Sequence, residues 1–173
     1  EYYELCLAHG SFDEATRTEI RHRIDWLGAL KLMLAEGYRG EPEYRDAIRA
    51  LTRFRQRWPD SPYRGLALFF RGLAKEYDID YQDPQGAIAD YRQFIQESPS
   101  APLVSEAMLR IGHCCEFNLD RPDYQGAIEA YEAVIRKFGP TDEAVQAAAP
   151  LQRMAVERAL YYKARILEDH LAE

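Results

Sequence analysis

Three short runs carry the residue types from which chemistry is built. Glu19-x-x-His22 sets a carboxylate and an imidazole three positions apart, which on an α-helix is one face. Such a pair is half the donor set of a di-metal carboxylate centre, where two Glu-x-x-His motifs converge from two helices. The second motif is missing from the chain. His113, Cys114, Cys115 and Glu116 stand in a row. Neighbouring residues on a helix point about 100° apart, so the two thiols cannot share one metal ion, and no matching pair lies nearby. Arg45, Arg49, Arg53 and Arg57 step by four, a fan of guanidinium groups turning slowly round a helix. Such a fan suits the bidentate grip of carboxylates on an acidic partner. The plainer alternative is a solvated face offset by Glu41, Glu43 and Asp46 and by acids of a neighbouring helix.

No phosphate loop, Gly-x-Ser-x-Gly elbow or His-Glu-x-x-His zinc helix occurs. The expectation is therefore no catalytic residue, no cofactor and no metal ligand. A helical-bundle metal enzyme using Glu19 and His22 is the distant alternative. The 29 acidic residues exceed the 22 basic ones, for a formal net charge of -7, a field that repels phosphate backbones and argues against nucleic acid as a partner. The longest apolar stretch, Leu66 to Phe70, is far short of the roughly 20 residues a membrane-spanning helix needs.

The elements that position these residues are announced by repetition. "EYRDAIRALTRFRQRWPDSP", "DPQGAIADYRQFIQESPSAP" and "DYQGAIEAYEAVIRKFGP" align without gaps at a spacing of 40, so that Ala47, Ala87 and Ala127 coincide. So do Ile48, Ile88 and Ile128, then Leu51, Tyr91 and Tyr131, then Phe54, Phe94 and Val134. The apolar positions fall at helical spacing, which predicts an amphipathic helix in each copy, with Tyr91, Phe94 and Tyr131 as core. The closing prolines are Pro59, Pro99 and, one place late, Pro140; proline lacks the amide donor and disfavours helical dihedrals before it. A second helix lies between copies, where "SPYRGLALFFRGLAKEY" matches "APLVSEAMLRIGHCCEF". Gly72 coincides with Gly112, and Ala74 with Cys114. Mid-helix glycine costs up to about 1 kcal/mol, which predicts close helix packing there, and the alignment of Cys114 with alanine predicts a small core residue.

Each unit is thus a helical hairpin whose apolar stripe is covered by the next unit. Gly72, Ala87, Tyr91 and Pro99, and again Gly112, Ala127, Tyr131 and Pro140, resemble the signature positions of the tetratricopeptide repeat. The spacing of 40 in place of that family's usual 34 puts the extra residues at Asp78 to Pro84, at Asn118 to Asp123 and after the proline. With "FRQRWPDSPYRGLA", these departures are similar to the tetratricopeptide lipoproteins of bacterial envelopes, the BamD-like and CpoB-like groups. The resemblance implies an all-α, right-handed superhelical solenoid of about eight helices, and a protein–protein interaction scaffold in an envelope assembly. It implies the periplasm or cell envelope as location, with a cytoplasmic adaptor for a partner's peptide tail as the alternative. It also places Phe69, Leu73 and Glu76, then Leu109, His113 and Glu116, on a partner-facing groove.

The 173 residues are expected to form a single domain, with N-terminal helices over 1–40, three repeats over 41–140 and a capping helix or helices over 141–173. Asp13 to Gly37 reads as one long helix, preceded by a loop holding Gly10. Thr141, Asp142 and Glu143 suit a helix start, and Pro150 a break. The chain opens at Glu1 without a methionine and is read as a processed form or the ordered part of something longer, any lipid anchor lying upstream. The cysteines Cys6, Cys114 and Cys115 form no disulfide framework, an odd count that favours a reducing compartment.

Overall fold

The computed structural model describes residues 2–10, 12–34, 44–78, 80, 82–139 and 150–170. Among them the chain is all-helical, with no strand. In order come α1 (Tyr2–His9), α2 (Glu14–Leu34), α3 (Tyr44–Arg57), α4 (Arg64–Tyr77), α5 (Pro84–Glu97), α6 (Val104–His113), a π-helical turn (Cys114–Asn118), α7 (Tyr124–Phe138) and α8 (Pro150–His170). Each helix packs on the next in sequence, and α8 also reaches back to α6.

Local chemistry sets the boundaries. Asp13 accepts the Thr16 amide at 2.7 Å to open α2. Asp83 and Asp123 accept the Gly86 and Gly126 amides, each at 2.9 Å, to open α5 and α7; a side-chain oxygen there satisfies a donor the helix itself leaves orphaned. The connections repeat as well. Ser61 N bonds Trp58 O and Arg64 N bonds Ser61 O, and 40 residues on Ala101 N bonds Ser98 O and Val104 N bonds Ala101 O.

Pro150 stands at the first position of α8 among the described residues, as suits a residue whose missing donor is not needed in a first turn. The long helix is described as far as Leu34. Residues 35–37, Glu41, Glu43, Pro140, Thr141, Asp142 and Glu143 lie outside the described residues. The second hairpin also ends in a π turn, with Leu119 N bonding Cys114 O at 3.2 Å, where the first keeps α geometry, with Asp78 N bonding Ala74 O at 3.1 Å. Both then close alike, Asp83 N on Lys75 O and Asp123 N on Cys115 O.

The aligned positions are the core. Ala47, Ala87, Ala127, Leu51, Tyr91, Tyr131, Phe54, Phe94, Val134, Ala67 and Ala107 are all buried, while Ile48 is half-buried. A second apolar cluster joins Trp26 and Ala29 of α2 to Leu51, Phe54 and Ala67. The two mid-helix glycines are seats for tyrosine rings, not for a neighbouring backbone. A Cβ on Gly72 would stand 2.7 Å from Tyr91 Cε1, and one on Gly112 closer still to Tyr131 Cε1.

The two hairpins fill equivalent interior slots with opposite chemistry. In the first, Arg71 forks onto Asp90 at 2.8 and 2.5 Å and reaches Thr52 of α3 at 3.2 Å, while Lys75 meets Asp90 at 3.0 Å. Forty residues later the three ionic positions are Ile111, Cys115 and Ala130, all packed in the main core. A buried ion pair replaced whole by apolar residues is often neutral in stability, whereas removing one partner strands the other charge.

Two outcomes follow for urea unfolding. Gly112→Ala should lower stability by about 1–3 kcal/mol, because overpacking outweighs the gain of up to about 1 kcal/mol in helix propensity. Asp90→Ala should cost about 3–5 kcal/mol, and the triple change Arg71→Ile, Lys75→Cys, Asp90→Ala should cost less than that single one.

Candidate functional site

Glu76 and Glu116 were the acidic positions expected on an open groove, and the structure buries both, at 4% and 5% exposure. Tyr91 Oη donates to Glu76 Oε2 at 2.7 Å, and Arg110 of α6 donates to Glu76 Oε1 at 3.1 Å. Tyr131 Oη donates to Glu116 Oε2 at 2.8 Å, and Arg165 of α8 pairs with Glu116 Oε1. Each carboxylate therefore joins the tyrosine of its own hairpin to an arginine of the following unit. Burial, then the Glu76 carboxylate, pushes the Tyr91 hydroxyl pKa up, and burial does the same to Tyr131. For Arg110 burial opposes the charge, but Glu76, Tyr77 and Glu106 outweigh it and raise the pKa. These groups form a structural brace between units.

Phe69 is likewise interior, packed on Phe70, Tyr91 and Phe94 at ring distances of 5.6–5.8 Å. The next helix covers what the sequence pattern placed at a surface. Around the covered seam Arg110 lies over the exposed Tyr77 ring, and Arg165 over Phe117 and Tyr162. Arg158 adds a bond to Glu106 at 3.3 Å.

His113 sits in this seam, edge-on to Tyr162 at 4.5 Å and near Phe117 and Tyr131. Its Nε2 is buried with no hydrogen-bond partner among the described residues. Burial, then the Arg158 and Arg110 guanidiniums, push its pKa down to about 4, against the pull of Glu106. The ring is neutral at pH 7. Cys114 and Cys115 are buried free thiols. Burial raises both pKa values, aided by Glu76 for Cys114 and by Asp123 for Cys115. A thiol so held carries little of the thiolate that nucleophiles and metal ligands require.

The Glu19 and His22 pair is used otherwise than a metal centre would use it. His22 Nε2 meets Ser61 Oγ at 2.8 Å, and its ring stacks with Phe54 and Tyr63 and stands edge-on to Trp58. Glu19 accepts from Arg23 at 2.7 Å. Among the described residues no group of three or more His, Cys, Asp or Glu side chains is placed to hold a metal ion. No helix among them is long and apolar enough to cross a membrane.

The arginine fan is on the surface of α3, and its members are unequally held. Arg45 approaches Asp78 at 3.9 Å, Arg49 bonds Asp46 at 3.0 Å, and Arg57 bonds Asp25 of α2 at 3.1 Å. Arg53 is exposed and has no ion-pair partner among the described residues; it lines a cleft of about 550 Å³ with Asp25, Ala50, Gln56 and Arg57. The fan was legible from its period of four. The pairing of Arg57 with Asp25 was not, since those residues lie 32 positions apart on different helices.

A depressed histidine pKa stabilises the fold only while the ring is neutral, so its share of stability is whole above about 6.5 and drains as pH falls towards 4. The charged groups acting on the ring are Glu106 and Arg110 of α6 and Arg158 and Arg165 of α8. His113→Leu, which copies Leu73 of the preceding unit, should remove that pH dependence. From pH 7 to 4.5 the stability difference should move against the wild type by on the order of 1–2 kcal/mol after solvent screening, read by urea unfolding at each pH.

Compared with protein-family models, with curated proteins and with solved structures, the chain finds no match in any of the three.

Proposed function

We propose that this chain is a non-enzymatic protein–protein interaction scaffold, built as an α-solenoid of tetratricopeptide-like hairpins. The observation that carries the reading is the repeated brace. Tyr91 on Gly72 with its hydroxyl on Glu76, and Tyr131 on Gly112 with its hydroxyl on Glu116, recur 40 residues apart and tie each unit to the next through Arg110 and Arg165. Units that cover one another in this way give a rigid, extended surface, which lowers the entropic cost of docking a partner.

The groups that reactions would need are spent internally. The thiols are protonated in the core, His22 is bonded to Ser61, and Glu76 and Glu116 are each braced twice. A role in a multi-protein assembly of a bacterial envelope follows from the spacer pattern of the repeats, with a protein as partner. A chain carrying a lipid-anchor signal upstream of Glu1 in its natural host supports the envelope; an ordinary start there supports the cytoplasmic adaptor.

Deleting residues 84–123 removes one whole period and joins Asp83 to Tyr124, so that Asp83 can cap α7 and Tyr131 can settle on Gly72. The shortened chain should retain helical circular dichroism and a cooperative, if weaker, melt. Collapse to an unfolded chain would contradict the stacked-repeat reading. For the scaffold role, stable co-purification of one protein set from the native host is the expected result, and a monomer free of partners the contrary one.

A further inference from the structure

The fan on α3 is costly as placed. Like charges at i, i+4 destabilise a helix by a few tenths of a kcal/mol per pair, and the equivalent positions of the other copies are Ala89, Gln93 and Glu97, then Glu129, Ala133 and Lys137. Among the described residues, acids meet Arg45, Arg49 and Arg57 but not Arg53. Asp46 serves Arg49 at 3.0 Å. Asp25 already accepts Trp58 Nε1 at 2.9 Å and Arg57 at 3.1 Å on one oxygen, and Arg57 is also held over the Trp58 ring at 5.4 Å. Arg53, between them, is exposed over a cleft floored by Ala50 and edged by Gln56. Arg49 is 71% exposed, so its fork is available too.

We infer that the outer face of α3, centred on Arg49 and Arg53 with Arg57 at its edge, docks an acidic segment of a protein partner. This rests on the scaffold reading and supplies the partner's chemistry. Successive guanidiniums four residues apart are separated by about 6 Å along the helix. That matches glutamates at every fourth position of a partner helix, each able to take a bidentate fork. The cleft receives the small apolar residues between them. Nucleic acid fits less well: the chain carries a net charge of -7, and Asp25 and Asp46 flank the stripe. The site lies on the first helix of the repeats and not on the α4, α6 and α8 seam, which its own braces fill.

The experiment titrates the whole chain with a labelled 16-residue helix-forming peptide carrying glutamate at every fourth position, against the same peptide with glutamine, by fluorescence anisotropy. The expected result is binding of the glutamate peptide alone. It should weaken about tenfold or more in Arg49→Glu/Arg53→Glu, less in Arg53→Gln, and fall steeply between 50 and 300 mM salt. The double variant should keep the wild-type melt, since both side chains are exposed. Equal binding of both peptides, no binding, indifference to charge reversal, or displacement of the peptide by a single-stranded oligonucleotide would overturn the inference. If the double variant still captures the native partner set as the wild type does, this face is excluded and the scaffold stands. If neither protein captures a partner, the scaffold reading itself fails.

Discussion

A tyrosine ring laid on a glycine is the constraint on which the rest of this molecule depends. Tyr91 and Tyr131 are fully buried, and each presses its ring where a side chain would otherwise project from Gly72 or Gly112. A phenol so buried must find an acceptor, because an unsatisfied hydroxyl in the interior costs about 1–3 kcal/mol. The acceptor is a glutamate four residues beyond the glycine on the same helix. A buried carboxylate in turn requires a cation, which the following unit provides in Arg110 and Arg165. Each buried carboxylate is therefore matched only when the following helix is in place.

Within that frame the two hairpins are not copies in energy. The first is knit by Arg71, Lys75 and Asp90, and its flank by Glu97, which accepts from Arg55 at 3.0 Å and Arg64 at 2.8 Å. Forty residues on, the equivalent positions are Ile111, Cys115 and Ala130, then Lys137, Ile95 and Val104. Equivalent positions thus accept either an ionic or an apolar filling, the latter with a π turn at Cys115. The ionic one specifies its partners by geometry, and the apolar one packs without directional demand.

The same logic explains which chemical readings of the residues fell away. Glu76, Glu116 and Phe69 occupy positions that an open groove would display, yet the arginines of α6 and α8 reach across to Glu76 and Glu116, and Tyr91 and Phe94 of α5 pack on Phe69. His113 shares that seam and keeps a buried nitrogen with no partner among the described residues, beside guanidiniums that oppose its protonation. Glu19 and His22 share a helix face as their spacing requires, but the imidazole turns to Ser61 across the α3–α4 connection. Among the described residues Arg53 of α3 is exposed and meets no acid, whereas Arg49 and Arg57 beside it bond Asp46 and Asp25.

Much of this was legible in the chain itself. The period of 40, the helical spacing of Ala47, Leu51 and Phe54 and their counterparts, and the stopping prolines Pro59 and Pro99 are local signals. Each is set by dihedral preference and by one-sided burial, so each is written in consecutive residues. Spacing also marked the arginine fan and the small, buried character of Cys114. What only the tertiary structure decided concerns pairs drawn from different helices: tyrosine on glycine, Glu76 with Arg110, Glu116 with Arg165, Arg57 with Asp25. Whether a carboxylate at a helix face meets solvent or a guanidinium depends on how far the neighbouring helix slides and how long its side chains are. Helical periodicity in one segment carries no information on either.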